Sequence, residues 1–188
     1  MILDKKNINF YHKEGVVLLK NIISKEWLEK LEKGIEKNFK EPSKYKCVYE
    51  KKGNKELFYD DYCNWQRINQ YKDFLFNSEI ANIASELMNS NKVNIFHEHV
   101  LIKESGAKKT TPWHQDQSYY CVEGHQNVSF WIPLDQIKKS NSPEFIAKSH
   151  RWTQNFLPTK FFGNDYEHID KNFEKIPDIE SNREKYNI

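Results

Sequence analysis

The sequence holds little that could staple or anchor it. Its 188 residues include three cysteines, Cys47, Cys63 and Cys121, an odd number with no C-x-x-C pair. That argues against a disulfide framework and a cysteine-type zinc site, and a reducing cytoplasm is the expected setting. No apolar run is long enough to cross a bilayer, and Met1-Ile2-Leu3-Asp4-Lys5-Lys6-Asn7 lacks the apolar segment of a secretory signal, so no membrane partner is expected. An excess of one charge is also lacking. Lys+Arg 29 against Asp+Glu 27 leaves +2, which argues against nucleic acid as a partner. What the sequence does have is aromatic residues, at 14%, enough to build a core or a cleft from rings. The length suits one domain over residues 1–188.

Along the chain, Val16-Val17-Leu18-Leu19 reads as a short buried strand. Ser24 is a candidate N-cap, and Trp27, Leu28, Leu31, Ile35 and Phe39 recur at helical spacing up to Pro42. Residues 46–50 read as a strand leading into a Gly53-Asn54 turn. Phe58-Tyr59-Asp60-Asp61-Tyr62 and Trp65 form an acidic aromatic segment, suited either to a cleft wall or to a loop with its rings tucked inward. A helix is expected around 71–76. Ser78 should cap a second one that buries Ile80, Ile83, Ala84, Leu87 and Met88. Residues 93–103 read as the first long strand, residues 127–134 alternate cleanly, and residues 144–147 fit a short strand. Residues 155–188 are polar and irregular. Helices followed by short strands describe an α+β chain: a helical part over about 1–90, sheet or barrel strands over about 91–150, and an irregular segment over 151–188.

Thr111-Pro112-Trp113-His114-Gln115-Asp116 carries the chemistry. In an extended strand residues two apart share a face, so His114 and Asp116 can grip one metal ion from one side. One imidazole and one carboxylate are two thirds of the 2-His-1-carboxylate facial triad of non-haem iron sites. His97-x-His99 permits the same geometry, but its plainer reading is two strand histidines, one hydrogen-bonded and one partly exposed.

With these pieces in order, the sequence resembles the phytanoyl-CoA dioxygenase family of Fe(II)/2-oxoglutarate oxygenases. The matching stretches are Leu101-Ile102-Lys103 before a glycine turn, Thr111 to Asp116, Val128-Ser129-Phe130-Trp131-Ile132-Pro133-Leu134-Asp135, and Lys148-Ser149-His150-Arg151-Trp152. The opening Phe10-Tyr11-His12-Lys13-Glu14-Gly15-Val16-Val17 is also similar. The resemblance implies a double-stranded β-helix, a jelly-roll or cupin-like barrel with N-terminal packing helices, and Fe(II) and 2-oxoglutarate as cofactors. It implies His114 and Asp116 as metal ligands. Lys103, Gln115 and Trp131 would then be cosubstrate contacts, with a small organic molecule as substrate. His150 matches the family's Ser-His turn, which is structural.

The sequence departs from the family in three places, one of them Asn141-Ser142-Pro143 in place of a commonly glycine-containing turn. Ala147-Lys148 stands where the family has Pro-Gly before Ser-His. The family's second iron histidine and the arginine after it would fall about where the sequence ends, at Lys185-Tyr186-Asn187-Ile188. After Asp116 the histidines are His125, His150 and His168, none in a strand-like context suited to ligation. The expectation is therefore an incomplete barrel, with a homodimer as one way to cover open sheet edges. The alternatives to an active oxygenase are a non-catalytic relative serving as a binding or assembly module, and a cupin-like metal protein using His97, His99, His114 and Asp116.

Overall fold

The computed structural model describes residues 2–161 and 172–188. The described residues combine helices with one antiparallel sheet, which confirms the α+β class. It divides into two compact units: residues up to Asp4 with Leu19–Lys109 and Val128–Ile137, and Lys5–Leu18 with Thr110–Asn127 and Lys138–Ile188.

In the first unit, α2 spans Lys25–Lys40. Ser24 caps it as its sequence suggests, accepting the Trp27 N–H at 3.4 Å. Its close neighbour is α3, Asn69–Asn77. Gly34 is needed at their contact, since a Cβ there would lie 2.6 Å from the Tyr71 ring. Helix α4, Ile80–Met88, buries Ile80, Ile83, Ala84 and Leu87. Ser78 stands one residue before the N-cap position, where its hydroxyl accepts the Ile80 N–H at 3.3 Å. Glu86 of α4 accepts the N–H groups of Ile2 and Leu3 at 2.6 and 2.8 Å, which holds Leu3 in the core.

Strands β1, Cys47–Lys52, and β2, Lys55–Tyr62, form a hairpin about the Gly53-Asn54 turn. Strand β3, His99–Lys103, pairs antiparallel on the far side of β2, with Phe58 opposite Lys103, Asp60 opposite Leu101 and Tyr62 opposite His99. The acidic aromatic segment is thus not a surface loop. It is the central strand, and Leu57, Phe58, Asp60 and Asp61 are buried in it. Asp61 meets α2 and the segment after it: Asn38 Nδ2 and the Ser43 N–H each donate to its Oδ2 at 2.8 Å, and the Ser43 hydroxyl donates to its Oδ1 at 2.5 Å. Phe39 packs edge-on against Tyr59 beside it, with ring centroids 4.9 Å apart.

The remaining expected strands differ. Residues 16–19 are irregular and Leu18 is 75% exposed. Of the long strand expected at 93–103, only His99–Lys103 is in the ladder. Residues 127–134 and 144–147 are not strands. Alternation reports which side of a stretch turns inward, whereas a strand also needs a backbone neighbour to share its N–H and C=O groups. Among the described residues these stretches make at most isolated backbone bonds, such as Ala147 N–H to Asn187 O at 2.8 Å, and join no ladder.

In the second unit, α1 spans Lys5–Glu14, within the helical part expected over about 1–90, although no individual helix is expected there and none of its residues is buried. It ends at Gly15, whose φ is +85° and whose N–H reaches Tyr11 O at 2.7 Å. The Ser149–Arg151 turn docks on that end. The Lys148 N–H donates to Glu14 O at 2.7 Å, and Arg151 Nη2 to His12 O at 3.0 Å, with His150 Nε2 3.3 Å from the same oxygen. Of the four carbonyls that a helix leaves without partners at its C-terminus, those of Tyr11, His12 and Glu14 are thereby satisfied. Among the described residues of this unit, Phe156 and Ile179 are buried, and Trp152 packs on Phe156.

Candidate functional site

His114 and Asp116 meet, but not as side chains of one strand. Residue 115 is extended, with φ −109° and ψ 117°, and Asp116 opens a 3-10 turn over Asp116–Tyr119. The pair spans the step from extended chain into turn. His114 Nε2 lies 3.1 Å from Asp116 Oδ1. On the far side of the ring, His114 Nδ1 is 2.9 Å from Pro112 O. That carbonyl can only accept, so Nδ1 carries a proton and Nε2 is the nitrogen presented to the carboxylate. Tyr120 donates its hydroxyl to Asp116 Oδ2 at 3.4 Å, and the Tyr119 ring stands edge-on to the imidazole at 5.7 Å.

The hydrogen bond that the imidazole donates to Asp116 raises the His114 pKa above the usual value; burial opposes it, and the bond to the Pro112 carbonyl adds to the rise. A cation between Nε2 and Oδ1 is what this geometry favours, and a proton fills that role when nothing else does. A divalent metal fits as well. Two donors each about 2.1 Å from one ion and at right angles lie about 3 Å apart. A backbone carbonyl behind the ligating imidazole is the usual support for such a ring.

Gln115 braces the turn. Its Oε1 accepts from the Ser118 hydroxyl at 2.9 Å and the Phe156 N–H at 3.0 Å, and its Nε2 donates to Gln154 O at 3.2 Å. Lys103 closes β3 with its Nζ 4.6 Å over the Phe58 ring, and burial lowers its pKa while Glu50 opposes the shift. Trp131 is 52% exposed. Lys103 and Trp131 belong to the first unit, and His114, Gln115 and Asp116 to the second. His125 is exposed, His150 belongs to the α1 dock, and His168 lies outside the described residues. Among the described residues no three or more His, Cys, Asp or Glu gather as a metal set.

The sequence reading missed a second polar cluster. Tyr49 donates its hydroxyl to Asp60 Oδ2 at 2.8 Å, and His99 Nε2 lies 2.6 Å from the same oxygen. His99 is thus hydrogen-bonded with its side chain 40% exposed, and His97 lies just before the strand. The available signal was the alternation within 58–62, which separates Asp60 from Asp61 onto opposite faces.

An α+β chain with an imidazole and a carboxylate set for adjacent positions on one ion has two thirds of the donor set of a mononuclear non-haem metal protein. The family model of phytanoyl-CoA dioxygenase (PhyH) matches residues 11–186, and the chain belongs to that family. No curated protein and no solved structure matches it. Among the described residues no helix is long and apolar enough to cross a membrane.

Proposed function

We propose that this chain is an Fe(II)/2-oxoglutarate-dependent oxygenase of the PhyH type that hydroxylates a small organic substrate, on a frame of the double-stranded β-helix kind. The observation that carries the reading is the 3.1 Å approach of His114 Nε2 to Asp116 Oδ1, with Nδ1 tied back to Pro112 O. Family membership supports the choice of metal and cosubstrate.

Each residue then has a physical task. His114 presents Nε2 as a neutral donor because its other nitrogen is committed to a carbonyl. Asp116 contributes Oδ1, while its Oδ2 is held by Tyr120. Gln115 fixes the turn between them through three hydrogen bonds and, with Trp131, contacts the cosubstrate in this reading. The Lys103 ammonium pairs with a cosubstrate carboxylate, a charge-assisted bond that partial desolvation strengthens. When bound, the iron and 2-oxoglutarate together supply the oxygen activation that inserts a hydroxyl into an unactivated C–H bond.

The sheet order leaves β1 and β3 as edges of the described sheet, which supports a homodimer as a way of covering them. Anaerobic addition of Fe(II) and 2-oxoglutarate tests the reading. A visible band that requires both and is lost in His114→Ala is expected; a folded chain that binds neither is a non-catalytic relative.

A further inference from the structure

Tyr59 and Asp61 of β2 meet Phe39 and Asn38 of α2, so alternation places Phe58, Asp60 and Tyr62 on the opposite sheet face. Their partners on β3, Lys103, Leu101 and His99, share that face. The Tyr49–Asp60–His99 cluster therefore lies on the same face as the proposed cosubstrate lysine.

Its carboxylate is unusual. Asp60 is 1% exposed, and burying a carboxylate is unfavourable unless its oxygens are bonded. Here one oxygen, Oδ2, takes both bonds, from Tyr49 and His99. The other, Oδ1, is buried with no hydrogen-bond partner among the described residues. The imidazole it supports is not buried: the His99 side chain is 40% exposed. A surface ion pair needs no buried partner, whereas a half-satisfied carboxylate beneath a reachable imidazole is the kind of group that functional sites retain. With Nε2 donating to Asp60, Nδ1 is the acceptor of the ring. Burial, then the bond to Asp60, pushes the Tyr49 phenol well above its usual range, so it remains a donor. A carboxylate behind the ring favours an incoming donor and disfavours an anion.

We propose that Tyr49, Asp60 and His99 form a substrate-contacting site in which His99 Nδ1 accepts a hydrogen bond from a hydroxyl or ammonium group of the substrate, with Asp60 as the residue that positions the ring. This deepens the oxygenase reading and rests on it. The test uses the full chain labelled with 15N-histidine, titrated with ethanolamine, which carries both donor types, and separately with acetate. The His99 spectrum should show the Nε2–H tautomer, and ethanolamine should move the Nδ1 resonance while acetate leaves it in place. Asp60→Asn should weaken the ethanolamine response at least tenfold and disturb the tautomer. Tyr49→Phe, which keeps the ring against Phe58 at 4.9 Å, should weaken it less. His114→Ala should leave the response within twofold, which separates loss of this site from loss of the metal pair. An Nδ1 resonance that ethanolamine does not move in the wild type, or that acetate moves equally, overturns the proposal.

Discussion

His150 lies so closely over Gly15 that a Cβ at position 15 would come within 2.2 Å of its Nδ1. The glycine ends α1 at a φ of +85°, and the imidazole, Arg151 and the Lys148 N–H bond to the carbonyls of His12 and Glu14. Two stretches that the family resemblance marks separately, Phe10 to Val17 and Lys148 to Trp152, are the two halves of one joint.

Gly15→Ala therefore combines a left-handed backbone with overpacking, and should destabilise the chain by about 2–4 kcal/mol. Urea denaturation measures it. In the background of His150→Ala the overpacking disappears, so the same substitution should cost only about 1–2 kcal/mol. Equal costs in the two backgrounds would show that the ring contact is unimportant.

Lys148 holds a φ of +66° immediately before the Ser-His-Arg turn, the position at which the family has glycine. Lys148→Gly should relieve that strain, less the greater freedom of glycine in the unfolded chain, for a net gain of up to about 1 kcal/mol. Lys148→Val should destabilise, because a β-branched residue tolerates positive φ poorly. A thermal unfolding midpoint that rises for glycine and falls for valine is the expected pair of results.

Asp61 is buried, and burial, the largest influence on it, pushes its pKa up. Bonds from Ser43, Asn64 and Asn38 together outweigh burial and hold the pKa below the usual carboxylate value. A depressed carboxylate contributes stability that is fully present above the unfolded pKa of about 4 and is lost as pH falls through the folded value. Asp61→Asn should be destabilised at neutral pH by about 1–3 kcal/mol and should flatten the loss of stability below about pH 4. Parallel acid profiles for the two proteins would remove Asp61 from the account.

His114 has a raised pKa, mainly from its bond to Asp116, so a metal must displace a proton from Nε2 below that pKa. Anaerobic Mn(II) affinity should rise with pH by up to about tenfold per unit, from below the usual imidazole value of about 6.5 up to the raised pKa, and level off above it. An affinity independent of pH between 6 and 8.5 would mean that the metal does not use this nitrogen.

The fold was legible where local rules decide. Ser24 before an amphipathic repeat gave α2, Gly53-Asn54 gave the hairpin, and the Ile80 to Leu87 stripe gave α4. It was not legible where the outcome depends on a distant neighbour. Residues 127–134 alternate like a strand yet find no ladder partner among the described residues, and α1 forms with no buried residue to announce it. The His114 and Asp116 spacing was legible, but its geometry was not. An alternating strand would have aligned the pair, whereas here a 3-10 turn brings Oδ1 to the imidazole. Asp60 and His99 were hidden because their meeting depends on the β2–β3 register, which neither strand's own sequence reports.

The central claim, that His114 and Asp116 hold iron for 2-oxoglutarate chemistry, is met most directly by anaerobic absorption spectroscopy of the full chain. The account predicts a visible charge-transfer band that appears only when Fe(II) and 2-oxoglutarate are both present, vanishes in His114→Ala and Asp116→Ala, and weakens in Lys103→Ala. A folded wild-type chain that gives no band, or a band that survives His114→Ala unchanged, contradicts it.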